Sequence, residues 1–142
     1  DLHTVRHSFP TRRSSDLNIA YLPNTDRGPE ILYAKIIRDA DKLDIYRVLA
    51  AGLRPSVNGS YSPLILRDLL AGRQCRYTDA RTPDDGNLIR LSWVFDINYD
   101  WTFRKIIQKN YIEHILTCLP RNNETRQVAS LIRNYINMRL AT

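Results

Sequence analysis

The chain has 142 residues, of which 43% are hydrophobic and 25% charged, and its formal net charge is +6. This composition is that of an ordinary globular domain with its own core, and the absence of any run of about 18 apolar residues excludes a membrane-spanning helix. Cys75 and Cys118 lack the spacing of metal ligands, so we expect free thiols, a reducing compartment and a cytoplasmic location.

The first 17 residues differ in character from the rest of the chain. Residues 7–17 resemble the translation, in one reading frame, of a common sequencing-adapter oligonucleotide, and Asp1, Leu2 and His3 fit adapter bases further upstream. The alternative is a basic, serine-rich tail or a transit-like leader. A secretory signal is not favoured, because the segment lacks the apolar stretch that such a signal needs. We predict that residues 1–17 are a non-native leader with few contacts, and that the domain comprises residues 18–142.

Helix signals follow one another from Pro29 to the end of the chain. Pro29, Pro63 and Pro83 suit the first position of a helix, where the missing N–H costs nothing. Ser62, Thr82 and Asp100 are candidate N-caps. The predicted helices start near residues 29, 63, 83, 101, 111 and 124, and the first five stop near residues 52, 72, 97, 108 and 119.

Apolar periodicity predicts which helix faces are buried. The first helix carries two adjacent stripes, Leu32, Ile36, Ala40 and Leu43 beside Tyr33, Ile37, Asp41, Ile45 and Val48. The last helix carries Val128, Leu131, Ile132, Tyr135 and Met138. Because no segment alternates as a strand does, the sequence predicts an all-α fold, an irregular helical bundle.

Three carboxylates, Asp39, Asp41 and Asp44, lie within six residues of the otherwise apolar first helix. A buried carboxylate is normally paired, protonated or bound to a cation, because an unpaired one is very costly. Asp41 shares a helix face with Asp44 and Arg38, whereas Asp39 points elsewhere. We expect Asp41 on the inward side, beside Ile37 and Ile45, with Arg38 or another basic group within reach or with a solvent-filled gap next to it. The alternative is a set of surface charges that pair locally along the helix.

Residues 34–44 resemble the last motif of the HD superfamily of metal-dependent phosphohydrolases, roughly hydrophobic-x-D-A-D-[RK]-L-D. Residues 82–84 and 93–99 resemble downstream segments of bacterial HD-domain proteins, so the resemblance covers nearly all of residues 18–142. It implies a truncated HD-domain-like fold in which Asp41 is a metal ligand. It also places Asp44 near the metal as a supporting carboxylate and Arg38 as a partner of phosphate or carboxylate.

The activity that this resemblance implies is hydrolysis of a phosphate ester or nucleotide. A divalent cation, Mn, Fe, Co, Ni, Zn or Mg, would activate the attacking water. The His…His-Asp motifs that supply the family's other ligands are absent from this chain. We therefore expect the chain to be the C-terminal part of a longer parent, inactive and without a tightly bound metal, and the resemblance names no catalytic residue here.

Asp96 is an acid within the apolar segment 93–99, so it needs a partner. A structural ion pair or a helix cap is the favoured interpretation, and a contact with Arg38 or with substrate is the other.

The basic balance and the loop around Tyr77 bear on possible partners. Arg73, Arg76 and Arg81 flank this tyrosine, and cations beside a stacking ring suit phosphates or single-stranded nucleic acid. A solvated basic loop is the simpler interpretation. The expected partner is thus a phosphorylated small molecule or nucleotide, with nucleic acid less favoured and no membrane. The alternative function is a non-enzymatic helical module that binds nucleic acid or a protein.

Overall fold

The computed structural model describes residues 28–56 and 59–142. That part of the chain contains six α-helices and no strand, so the all-α prediction is confirmed. The helices are α1 (Pro29–Ala50), α2 (Pro63–Leu70), α3 (Pro83–Ser92), α4 (Asp100–Gln108), α5 (Tyr111–Thr117) and α6 (Asn123–Leu140). A 3₁₀ turn, Tyr77–Asp79, precedes α3, and a second, Trp93–Asp96, follows it. The predicted leader, residues 1–17, lies outside the described residues.

Proline begins three of the helices, as the sequence predicts. Pro29, Pro63 and Pro83 each stand in the first turn, where a backbone N–H would have no partner within the helix. Thr82 caps α3 by accepting a hydrogen bond from the backbone N–H of Asp85, at 3.2 Å. The Asp85 carboxylate accepts in return from the N–H of Thr82, at 3.0 Å, which completes a capping box.

Two local predictions about helix ends are wrong, and a third is confirmed only in position. Ser62 is the N-cap residue of α2, as predicted, but its side chain makes no capping bond, because its hydroxyl donates to Asp85 at 2.5 Å and so connects the start of α2 to α3. Asp100 is the first residue of α4 rather than its cap, and no side chain caps this helix. The third helix ends at Ser92, and the apolar residues that follow it form the 3₁₀ turn Trp93–Asp96.

The core is apolar and α3 lies at its centre. This helix contacts α2 and α5, while α1 packs on α4 and α5, and α6 packs on α2. The largest fully buried side chains are Tyr46, Phe103, Ile65, Leu69, Leu88, Ile89, Leu91, Ile106, Ile112, Ile115, Ile132 and Val94. Among the helices that the structure describes, none combines the length and apolar content that a membrane crossing needs.

The last helix packs on the body through only part of its predicted stripe. Val128, Ile132 and Ile136 are buried, in a row at intervals of four. Met138 was predicted to lie inward but is 62% exposed. At about 100° per residue, a row spaced by four drifts around the helix, so the inward direction has moved away from Met138 by the last turn.

Candidate functional site

Helix α1 turns a largely polar face toward the protein. Its buried residues are Ala34, Arg38, Asp39, Lys42 and Tyr46. The predicted inward stripes are therefore wrong in part. Four of their large apolar members are exposed, namely Leu32, Tyr33, Ile36 and Val48, whereas Leu43 and Ile45 are half-buried and pack against the core. The physical reason is that the charged side chains find partners in the segment 96–99, so their burial leaves no uncompensated charge.

Asp39 binds the turn that leads into α4. Its Oδ1 accepts from the backbone N–H of Asn98, at 2.8 Å, and from the Asn98 side-chain amide, at 3.0 Å. Its Oδ2 accepts from the backbone N–H of Tyr99, at 2.8 Å. The residue is only 2% exposed. The aspartate that was predicted to point elsewhere is thus the one that the fold buries.

Asp96 pairs with two cations from α1, which satisfies the need for a partner that its position predicted. Its Oδ2 accepts from Nη2 of Arg38, at 2.5 Å, and from Nζ of Lys42, at 2.8 Å. Both cationic side chains are buried, whereas the Asp96 side chain keeps 17% of its exposure. Lys42 was not singled out from the sequence, although its spacing of four residues from Arg38 places the two on one face.

Asp41 and Asp44 lie on the surface of α1, so the predicted inward position of Asp41 is wrong. Asp44 forms a local ion pair with Arg47, at 2.7 Å, and the side-chain hydrogen bond within this pair raises the pKa of Arg47. The Asp41 carboxylate makes no hydrogen bond or ion pair with any residue that the structure describes. Of the predicted site residues, the fold therefore joins Arg38 to Asp96 and leaves both other aspartates facing solvent.

The Tyr77 loop lies near Asp41. Partial burial raises the pKa of Tyr77, the Arg90 guanidinium opposes this rise, and the charge of Asp41 adds to it. Asp41 of α1 and Arg90 of α3 therefore each lie within electrostatic range of Tyr77.

Two of the loop arginines are bound to their own chain. Arg73 donates to Asp68, at 2.9 Å through Nη2, and Arg81 donates to the carbonyl oxygen of Thr78 at 2.8 Å. Arg76 is exposed. These contacts reduce the number of cations that the loop offers to a phosphate backbone.

Asp85 is a buried acid, and the sequence did not predict how many groups bind its carboxylate. In addition to the bonds from the Thr82 N–H and the Ser62 hydroxyl, the carboxylate accepts from the backbone N–H groups of Ser62, at 2.7 Å, and Arg81, at 2.8 Å. Burial by itself would raise the pKa of Asp85, but these hydrogen bonds outweigh burial and lower it. The residue is therefore a structural tie between α2 and α3.

Both cysteines are free, as predicted, and the structure buries both. The Cys75 thiol lies 3.3 Å from the carbonyl oxygen of Ile65, as a hydrogen-bond donor. Burial raises the pKa of Cys75 to about 11. Because the thiolate is the reactive form, Cys75 has the character of a core residue rather than a nucleophile.

Within residues 28–56 and 59–142, no group of three or more His, Cys, Asp or Glu side chains is placed to hold a metal ion. The arrangement provides one available carboxylate, Asp41, on a helix that ion pairs and hydrogen bonds hold in place. Comparison of the chain with family models, curated proteins and solved structures found no match.

Proposed function

We propose that this chain is part of a metal-dependent phosphohydrolase of the HD superfamily, and that Asp41 is one of its metal ligands. The substrate is a phosphate ester, carried by a small molecule or a nucleotide, and the protein is cytoplasmic. The proposal starts from the resemblance of residues 34–44 to the last motif of that superfamily.

The observation that carries the proposal is the availability of Asp41. The Asp39 carboxylate already accepts three hydrogen bonds, and the Asp44 carboxylate already forms an ion pair with Arg47. Asp41 is exposed and makes no such contact within the described part of the chain. A cation could therefore bind its carboxylate without breaking any of these contacts, and carboxylate oxygen suits hard and borderline cations.

The neighbours of Asp41 support this role through the helix. Arg38, Asp39 and Lys42 anchor α1 on both sides of Asp41 by contacts with the segment 96–99. A metal ligand on so fixed a helix has a defined position, which is what an ordered site requires. In this proposal Arg38 and Asp96 hold the helix, and Asp44 is a surface acid near the metal.

One carboxylate cannot complete a catalytic site, because a metal centre needs several protein ligands. The His…His-Asp ligands of the superfamily would come from residues outside those that the structure describes. When bound, the cation would lower the pKa of its water and so supply the nucleophile. Asp41 contributes charge and one oxygen to that site.

The first experiment uses a gene extended upstream of residue 18 until it contains the His…His-Asp motifs. The purified product is assayed with p-nitrophenyl phosphate and Mn²⁺. We expect Asp41→Asn to lower metal-dependent hydrolysis by at least about 100-fold, more than the loss of an outer partner of a metal ligand causes. Glu124→Gln, at an exposed acid on α6, is the control and should keep most of the activity. Equal activity in Asp41→Asn and wild type would contradict the proposal.

The second experiment uses the present chain and calorimetric titration with Mn²⁺ or Zn²⁺. We expect affinity on the order of millimolar or weaker, because Asp41 stands without the other ligands. A tight, stoichiometric site that Asp41→Ala abolishes would show that this chain holds a complete site by itself. That result would contradict the assignment of the remaining ligands to other residues.

A further inference from the structure

A groove of about 400 Å³ lies between the end of α1, the loop that follows it, and one side of α3, from Pro83 to Arg90. Its apolar side includes Val48, Leu49 and Leu53, and its polar side includes Arg54, Asn87 and Arg90. The volume falls within the range of small-ligand pockets, which is about 300–1,000 Å³. None of these six residues belongs to the predicted metal site.

A hydrogen bond joins the side chains of Arg90 and Asn87, and a second one holds the Arg90 backbone against the core. Nη1 of Arg90 donates to Oδ1 of Asn87, at 3.0 Å, and the buried Tyr46 hydroxyl donates to the carbonyl oxygen of Arg90. The other N–H groups of the Arg90 guanidinium and the Nδ2 group of Asn87 donate to no other residue in the described part of the chain. The groove thus offers donors that are already held in position.

The charge of the groove is positive. Arg90 is half-buried and Arg54 is exposed, and Arg54 forms no ion pair with a described residue. The groove also contains one carboxylate, that of Asp84, but this group is buried and accepts from the backbone N–H of Gly59, at 2.9 Å. Two cations therefore face one engaged anion, which favours a ligand with negative charge.

The apolar wall offers a contact for the remainder of such a ligand. Val48 lines the groove and is 58% exposed, although it is a large β-branched hydrophobic residue. Covering it would remove apolar surface from water. Val48 follows Asp41 by seven residues on the same side of α1, a distance of about 10 Å along the helix.

We propose that this groove binds a small organic anion. Its acid group is held by the guanidinium groups of Arg54 and Arg90 and by the amide of Asn87, and its apolar body lies against Val48, Leu49 and Leu53. The recognised chemistry is an oxyanion on an apolar body, either a phosphate monoester or a carboxylate. The site needs no metal, so it stands whether or not Asp41 is a metal ligand.

Titrations of the purified chain without metal test the site, with phenyl phosphate and benzoate as the two anionic probes. Benzyl alcohol is the uncharged probe of similar size, and binding is followed by calorimetry and by ¹H–¹⁵N NMR shifts. We expect at least one anion to saturate the site at concentrations below about 10 mM, with benzyl alcohol at least about tenfold weaker. The tighter of the two anions identifies the acid group.

Substitutions locate the binding. Arg54→Gln and Arg90→Gln should each weaken the tighter anion by about tenfold, because each removes a charge-assisted hydrogen bond. Val48→Glu should weaken it as well by adding a negative charge at an exposed position, without the risk to folding that Arg90→Gln carries. Arg104→Gln, at an exposed arginine on α4, is the matched control. Absence of saturable anion binding, or equal weakening by Arg104→Gln, would overturn the proposal.

Discussion

Replacing Asp39 by asparagine changes one oxygen of a buried carboxylate into an amide group and leaves the shape of the side chain almost intact. Asp39 accepts three hydrogen bonds, two from Asn98 and one from Tyr99. Asp41, two residues along the same helix, is exposed and accepts none from the described residues. The pair Asp39→Asn and Asp41→Asn therefore tests which side of α1 faces the protein.

The expected loss of stability in Asp39→Asn follows from these three bonds. If the amide oxygen keeps both Asn98 donors, the new NH₂ group faces the N–H of Tyr99, which then lacks an acceptor at a cost of about 1–3 kcal/mol. The two bonds that remain lose the charge of their acceptor, at about 1 kcal/mol each. The free energy of unfolding should fall by about 3 kcal/mol or more. Asp41→Asn should change it by less than about 0.5 kcal/mol.

Urea denaturation followed by far-UV circular dichroism measures both changes. With an m-value of about 2 kcal/mol/M, the midpoint of Asp39→Asn should lie about 1.5 M below that of wild type, with the slope unchanged. Asp41→Asn should unfold with the wild-type midpoint. The opposite order, with Asp41→Asn the less stable variant, would refute the orientation of α1 and the structural role of Asp39.

Two further predictions concern Asp96 and Asp85, the other acids that hold helices together through their hydrogen bonds. Asp96→Asn leaves Arg38 and Lys42 buried without their anion, so the free energy of unfolding should drop by about 3 kcal/mol. The exposed control Asp44→Asn should lose less than about 0.5 kcal/mol, and equal urea midpoints for the two variants would contradict the ion pairs of Asp96 with Arg38 and Lys42. Because the pKa of Asp85 is lowered in the folded state, its contribution to stability is fully present above its unfolded pKa of about 3.9 and is lost as the pH falls through the lower folded value. The difference in urea midpoint between wild type and Asp85→Asn should therefore be largest near pH 7 and shrink below about pH 4, and a difference that stays constant to pH 2 would count against this account.

The positions of the helices were predictable because their determinants act within one turn. A proline at residue 29, 63 or 83 favours a helix start through its own fixed geometry. The box of Thr82 and Asp85 involves residues three apart. The all-α fold follows from such local signals together with apolar periodicity. Ser62 shows where they fail, since its hydroxyl is taken by Asp85, 23 residues further on.

The candidate site was likewise predictable only in its local features. The sequence by itself determined that the first helix carries Arg38, Asp39, Asp41 and Asp44, and that Asp96 requires a partner. It did not determine which of these acids is buried. Apolar periodicity favoured an inward Asp41, because hydrophobic residues stand four positions to either side of it.

Only the tertiary structure decided the orientation of α1. Arg38 meets Asp96 across 58 residues of sequence, and Asp39 meets the backbone of Asn98 and Tyr99 across 59 and 60. These partners compensate the burial of three charged residues, Arg38, Asp39 and Lys42, and four large apolar side chains of α1 face outward instead. Such contacts exist only after the chain has brought distant segments together, so the residue pattern within a single helix cannot predict them.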